Sequence, residues 1–203
     1  MQDITTTALP AIGAPLAGGF FAGQIRIAGQ NFALIVAPKA EGEHAPAQWG
    51  EYGKDVPGAK SYFDGLANTN AMAEAGSELA QWARGLRLGG FEDWYLPSQD
   101  ELEIIYRNLK PTTEENHVYN RSGMNLSAVE PTRPYTLEAP AQTEALAFRE
   151  GGAEAFDDNW YWSSTQHASD SDCAWFQDFD YGDQHCNSTN RKLRARAVRR
   201  LPL

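Results

Sequence analysis

Residues 90–109 read GFEDWYLPSQDELEIIYRNL, and the way this stretch turns from a glycine stop into a capped helix decides how the rest of the chain is read. Ser98 followed three positions later by Glu101 makes a capping box. The serine hydroxyl can accept from the amide of Glu101 while that carboxylate reaches back to the serine amide. Leu102, Ile105, Tyr106 and Leu109 then recur at steps of three and four, which gives one buried helical stripe that ends before Pro111. Trp94 and Leu96, just upstream, are large enough to supply much of a small core, at about 1.5 to 3 kcal/mol for each fully buried side chain.

Upstream of this stretch, Met72, Ala75, Leu79, Trp82, Ala83 and Leu86 repeat at helical spacing. They predict one helix of about four turns from Asn70, stopped by Gly89-Gly90. Residues 39–64 are punctuated by Gly and Pro and read mostly as loop, with Trp49, Tyr52, Tyr62 and Phe63 as anchors. Phe21 to Ala37 alternates apolar and polar residues around Gly29-Gln30-Asn31 and predicts a β-hairpin. Residues 1–20 have no period and read as an extended arm, which leaves residues 21–203 as one domain. Downstream, residues 112–158 read as long loops. NWYWSST, CAWFQDFDYG and KLRARAVRR follow as β-like runs, with Tyr161, Trp162 and Trp175 as further core aromatics. No internal repeat is visible.

A chain of 203 residues suffices for one good-sized domain, and Gly 18 with Pro 11 implies many turns. The formal charge of −10 opposes nucleic-acid binding, because that affinity comes largely from Lys and Arg displacing counterions. No run approaches the length of a membrane span, so no membrane insertion is expected. The first residues carry Asp3 and lack a basic stretch, which argues against an export signal.

Three blocks occur in a familiar order. The first is Gly90-Phe91-Glu92-Asp93-Trp94-Tyr95-Leu96-Pro97-Ser98, running into Glu101-Leu102. The second is Tyr161-Trp162-Ser163-Ser164-Thr165. The third is Ala174-Trp175 with Phe179 and Gly182, ending in Arg196-Ala197-Val198-Arg199. Over roughly residues 60 to 200 the chain resembles the C-terminal domain of bacterial collagen-like adhesins, a branch of the C-type-lectin fold. The resemblance implies an α+β, C-type-lectin-like architecture: two helices flanking a small twisted antiparallel sheet, with a long irregular ligand-binding region before the last strands. Phage tropism proteins and the variable proteins of diversity-generating retroelements use the same fold, often as trimers, so the resemblance implies recognition and a homotrimer. Adhesin relatives that bind sulfated polysaccharide need positive charge. This chain is acidic, and that ligand is not carried over.

From Glu150 to Asn190 there is no Lys or Arg, but Asp157, Asp158, Asp170, Asp172, Asp178, Asp180 and Asp183 all fall there with Glu150 and Glu154. In Ala174 to Tyr181, period-two alternation puts Trp175, Gln177 and Phe179 on one face and Phe176, Asp178 and Asp180 on the other. With Trp175, Gln177 and Phe179 in the core, the opposite face is turned to solvent, and an exposed Phe176 between carboxylates would suit a recognition surface. The expected ligand-binding residues are Asp170, Asp172, Phe176, Asp178, Asp180, Tyr181, Asp183, His185 and Asn187. From His167 to Asn190, fifteen of twenty-four positions are Asp, Asn, His, Tyr, Ser or Cys. All six are reachable from AAC by adenine changes, the signature of retroelement diversification, and they also suit any adaptable polar loop.

Other chemistry finds less support. Ser163 and Ser164 lack a His and Asp at hydrolase-like spacing and read as structural. No catalytic residue is expected. Formylglycine-generating enzymes share the general fold but need a close pair of active cysteines, whereas twelve residues separate Cys173 from Cys186. For those two cysteines the bonded and free states both stay open. Asp at i and i+2 suits calcium, but no Asp-x-Asp-x-Asp-Gly loop closes with a Glu, so no cofactor and no metal site is expected, calcium being the one ion the residues allow. His44, His117 and His167 read as surface residues, with His185 the exception worth testing. Arg191, Lys192, Arg194, Arg196, Arg199 and Arg200 are expected to face the acidic segment.

The expectation for function is a host receptor-binding protein on a phage tail. It would be made in the host cytoplasm and carried on the virion, would dock through residues 1–20 and would read a host cell-surface protein or glycan. The alternatives are a retroelement-diversified variable protein, or a bacterial or prophage adhesin or sensor domain at the cell surface.

Overall fold

The computed structural model describes residues 9–118 and 123–203. The chain forms a mixed α/β fold with two sheets. In the first sheet β1 (Pro15–Leu16), β2 (Gly19–Ile27), β3 (Gln30–Val36) and β9 (Val198–Pro202) lie in the order β1-β2-β3-β9, all antiparallel. Five strands make the second sheet: β4 (Glu43–Gln48), β5 (Trp160–Gln166), β6 (Cys173–Asp178), β7 (Gln184–Ser188) and β8 (Lys192–Arg196), in the order β4-β8-β5-β6-β7. The helices are α1 (Lys39–Gly42), α2 (Gly65–Glu74), α3 (Glu78–Gly85) and α4 (Gln99–Leu109). Two helices flanking a single sheet, as the resemblance implies, is therefore too simple a picture.

The β2–β3 hairpin forms where alternation predicts it. Its turn is one step earlier, at Ala28 (φ 50) and Gly29 (φ 85), both left-handed as a two-residue hairpin turn of this hand requires. A bulge between Phe21 and Gly23 bends β2 where α4 closes in, and a Cβ on Gly23 would sit 2.5 Å from the Asn108 side chain. Leu102, Ile105, Tyr106 and Leu109 all face inward as expected and pack with Ile25, Leu34, Tyr161 and Phe179. The capping box is present, with the Ser98 amide donating to the Glu101 carboxylate at 2.7 Å and the Glu101 amide to the Ser98 hydroxyl at 3.3 Å.

Several expectations are corrected. The single helix over residues 70–86 is two, because Gly76 (φ 93) stops α2 and the Ser77 hydroxyl caps α3 through the Ala80 amide. Residues 39–64 are loop over most of their length but open with α1 and β4, and of the four expected anchors only Trp49 is fully buried, while Tyr52, Tyr62 and Phe63 stay exposed. Strand β7 adds to the three β-like runs expected near the C-terminus. Of the arm expected over residues 1–20, residues 1–8 lie outside the described residues. From Gly13 onward the chain is built into the first sheet: the Gly13 amide donates to the Phe21 carbonyl at 2.7 Å, and β1 pairs with β2.

Trp94, Leu96, Tyr161 and Trp162 are fully buried, as expected, and Trp175 is half-buried. Trp162, Trp49, Leu193 and Phe176 join Met72, Leu79 and Ala83 of α2 and α3 in a second core, on the other side of the five-stranded sheet's inner strands from the α4 core. From residue 110 to 159 the described chain has no strand and one short 3-10 turn, Leu146–Phe148, and so the irregular region precedes the last strands.

Candidate functional site

The β6–β7 hairpin lies at the edge of the second sheet, and its turn is anchored firmly. Phe179 stacks on Phe156 (4.1 Å, 11°) and meets Tyr106 and Tyr161 edge-on. Gly182 rests against the Tyr106 ring so closely that a Cβ would lie 2.4 Å away. The Gln177 side-chain Nε2 ties the turn together by donating to the Gly182 carbonyl at 2.8 Å. Gln177 and Phe179 are buried as alternation predicts.

On the other face the expected exposed anchor is corrected. Phe176 is only 5% exposed and Asp178 only 8%. The cause is the neighbouring strand: Trp160 of β5 pairs in register with Asp178, lays its indole over the Phe176 ring (4.7 Å, 24°) and donates its N–H to Asp178 Oδ2 at 3.0 Å. Trp160, 41% exposed, is the aromatic that solvent sees. Alternation along one strand assigns a face but cannot say which side chain of the next strand lies on top. The signal was the NWYW run itself, whose first Trp sits two positions before the buried Trp162 on the same face.

A concavity of about 300 Å³ opens here, lined by Trp160, Phe176, Asp178, Asp183, His185, Cys186 and Asn187. Asp183 is half-buried and lies 3.5 Å from Nδ1 of His117, whose ring stacks on exposed Tyr181 (4.7 Å, 5°). His117 is another residue absent from the expected set. Asp180, half-buried at the tip, donates its amide to Asp178 Oδ1 at 2.8 Å. Burial raises the Asp178 carboxyl above its ordinary range, and the charges of Asp183 and Asp180 add to this against the hydrogen bonds from Asp180 and Trp160. Asp180 is raised too, by burial first and then by Asp158. His185 is exposed, and the half-buried Asn187 side chain accepts from the Ser188 amide at 2.8 Å.

Asp170 and Asp172 do not join this group. They sit at the opposite end of β6, where exposed Asp170 accepts from the Asp172 amide and Asp172 accepts from the Tyr52 hydroxyl at 2.8 Å. Cys173 and Cys186 are free and lie diagonally across β6 and β7. Burial first, and then its neighbour Cys186, push the Cys173 thiol up to about 12. The hydroxyls of Ser163 and Ser164 are occupied by the carbonyls of Trp175 (2.9 Å) and Pro97 (3.1 Å). Among the described residues no group of three or more His, Cys, Asp and Glu side chains comes together in a metal-holding arrangement, and no helix is long and apolar enough to cross a membrane.

The C-terminal basic residues reach only the beginning of the acidic segment. Arg196 pairs with Glu154 (2.6 Å) and Arg194 with Asp157 (2.9 Å), while Arg199 turns to Asp93 (2.7 Å) and Arg200 to Asp64 (2.9 Å). These pairs fasten the last two strands to the body and leave the carboxylates around Trp160 uncompensated by them.

The Lcl C-terminal domain family matches residues 44–199, from β4 to the start of β9. The chain belongs to this family. The match takes in all of the five-stranded sheet but Glu43, α2 to α4 and every residue of the concavity, and leaves β1, β2 and β3 of the first sheet outside. An Lcl C-terminal domain is in general a receptor-binding or adhesin-type domain, and that coarse function holds for this chain. No curated protein matches it.

Proposed function

We propose that the chain is a host receptor-recognition domain of C-type-lectin-like build, carried on a phage tail as a homotrimer, and that it binds a host cell-surface protein or glycan through the outer face of β5, β6 and β7. The observation that carries this reading is Trp160, an aromatic ring half out in solvent yet held in place from below by Phe176 and from the side by Asp178. A large ring fixed in advance loses little freedom when it is covered, which is the property of an interface anchor. Around it stand Asp183 from the β6–β7 turn and His185 and Asn187 from β7, polar groups that can set a partner's orientation. The long irregular region ahead of the last strands and the order of the three sequence blocks support the lectin-like reading. Phage tropism proteins use the same lectin-like fold for recognition, and this supports the tail. The chain is read as a binder and not an enzyme because the hydroxyls of Ser163 and Ser164 serve the backbone and burial keeps the Cys173 thiol protonated.

A second reading shares the face: a variable protein diversified by a retroelement. It is favoured by the exposed or half-buried state of Asp180, Tyr181, Asp183, His185 and Asn187, which an AAC-derived change would alter without touching the core. Purified, labelled domain should bind host cells and block phage adsorption. Failure to bind any host surface would overturn the proposal, and changes confined to these positions among related isolates would select the second reading.

A further inference from the structure

We infer that the concavity beside Trp160 takes an alkylammonium group, seated against the open part of the indole and facing the carboxylates of Asp178 and Asp183. This rests on the recognition face proposed above and names the chemistry that the face accepts.

The geometry comes first. The concavity of about 300 Å³ is roomy enough for one extended amine-bearing side chain or one sugar ring, and its wall is the ring of Trp160. That indole has spent its single N–H on Asp178, so what it still offers a guest is its π face, which attracts cations. Ionised carboxylates are acceptors only, so both acids lining the space ask for donors. An ammonium brings three donors and a positive charge, whereas an anion would meet only repulsion.

The charge environment points the same way. Among the described residues, no Lys or Arg lines the concavity. Arg194, Arg196, Arg199 and Arg200 are held by acids elsewhere, and the Asp183 carboxylate lies 3.5 Å from Nδ1 of His117. Burial first, and then the charges of Asp183 and Asp180, raise the Asp178 carboxyl, and burial followed by Asp158 raises that of Asp180, a crowding of carboxylates that a bound cation relieves. A neutral sugar could stack on Trp160 as well, but it would leave this crowding in place.

The test uses the indole resonance of Trp160 in the ¹⁵N-labelled full chain, assigned by its loss in Trp160→Phe. Trilysine and a fully de-N-acetylated glucosamine trimer, which is cationic at pH 6, are the two cationic probes. The N-acetylated glucosamine trimer is the neutral control and triglutamate the anionic one. A saturable shift of that resonance with a cationic probe is expected, weakening roughly fivefold or more as salt is raised from about 20 to 200 mM. The affinity should fall at least about tenfold in the double variant Asp178→Asn, Asp183→Asn, which keeps the acceptor for the Trp160 N–H, while the other indole resonances stay in place and report an intact fold. A response to trilysine alone assigns the amine to a protein lysine, and a response to the glucosamine trimer alone assigns it to an amino glycan. An equal response to the neutral trimer would overturn the cation assignment while leaving the Trp160 face as the binding surface. No response to either cation would overturn it also, and the adsorption experiment would then decide separately whether the recognition reading stands.

Discussion

Glu101 has no contact with solvent, yet it is a carboxylate at the centre of the fold, and replacing it by Gln makes a sharp test of how that centre is held. Its side chain accepts from the amides of Ser98 (2.7 Å) and Gly65 (3.1 Å) and from the Tyr95 hydroxyl (2.7 Å), so that it joins α4 to α2 and to the segment before α4. Burial pushes its carboxyl up to about 7 from an ordinary 4.5, against the hydrogen bonds from Ser98 and Tyr95 that hold it down. Between those two values the folded protein keeps a proton that the unfolded chain has released. This contribution to stability is therefore full below about pH 4.5 and is lost as pH rises through 7. At about 1.4 kcal/mol per pH unit the loss comes to about 3 kcal/mol, a large share of the 5–15 kcal/mol that holds a typical domain together. Gln is neutral throughout and nearly the same shape. In urea denaturation at pH 4, 6 and 8, the difference in unfolding free energy between the two proteins should move by about 3 kcal/mol in favour of Glu101→Gln toward high pH. A difference that stays constant, or one that moves in favour of the native protein, would refute the reasoning.

Gly65→Ala should cost roughly 3 kcal/mol or more in the same assay, because the new Cβ would lie 2.3 Å from the Glu101 carboxylate and 2.5 Å from the Ser98 amide; a near-neutral result would mean that the capping box is looser than its geometry. Trp162→Ala should lose about 3–5 kcal/mol, since the ring is fully buried among Trp49, Phe176 and Leu193 and its indole N–H serves the Ala47 carbonyl at 3.0 Å. At pH 8 the Cys173 thiol, held up to about 12, should alkylate with iodoacetamide roughly a hundredfold or more slowly than an unperturbed thiol, as followed by mass spectrometry of its peptide in the native protein, and in Cys186→Ser lifting of the neighbour's effect should restore part of the rate.

What could be read from the chain alone was local. The Ser98–Glu101 cap and the α4 stripe need only residues a few positions apart, and the β2–β3 hairpin announces itself by alternation. The break between α2 and α3 was visible in Gly76-Ser77, but the apolar spacing runs on across it and masked the stop. Strands β4 and β7 read EHAPAQ and QHCNS, with almost no apolar alternation. They are strands because β8 and β6 offer them partners, which no local propensity reports. At the candidate site, alternation placed Gln177 and Phe179 inward correctly but carries no information that Trp160 lies across Phe176. The acidic segment likewise divided in two, its ends drawn apart by the length of β6. The Arg199 and Arg200 partners, Asp93 and Asp64, come from elements more than a hundred residues away and could not be read from sequence separation.

The most direct measurement compares native protein and Trp160→Ala as competitors of phage adsorption to host cells, with thermal melts run alongside. Trp160 lies on top of the core and not within it, so the variant should melt within a few degrees of the native protein, roughly what a cost of about 1 kcal/mol allows, while its half-blocking concentration rises at least about tenfold. A variant that blocks adsorption as well as the native domain would contradict the account.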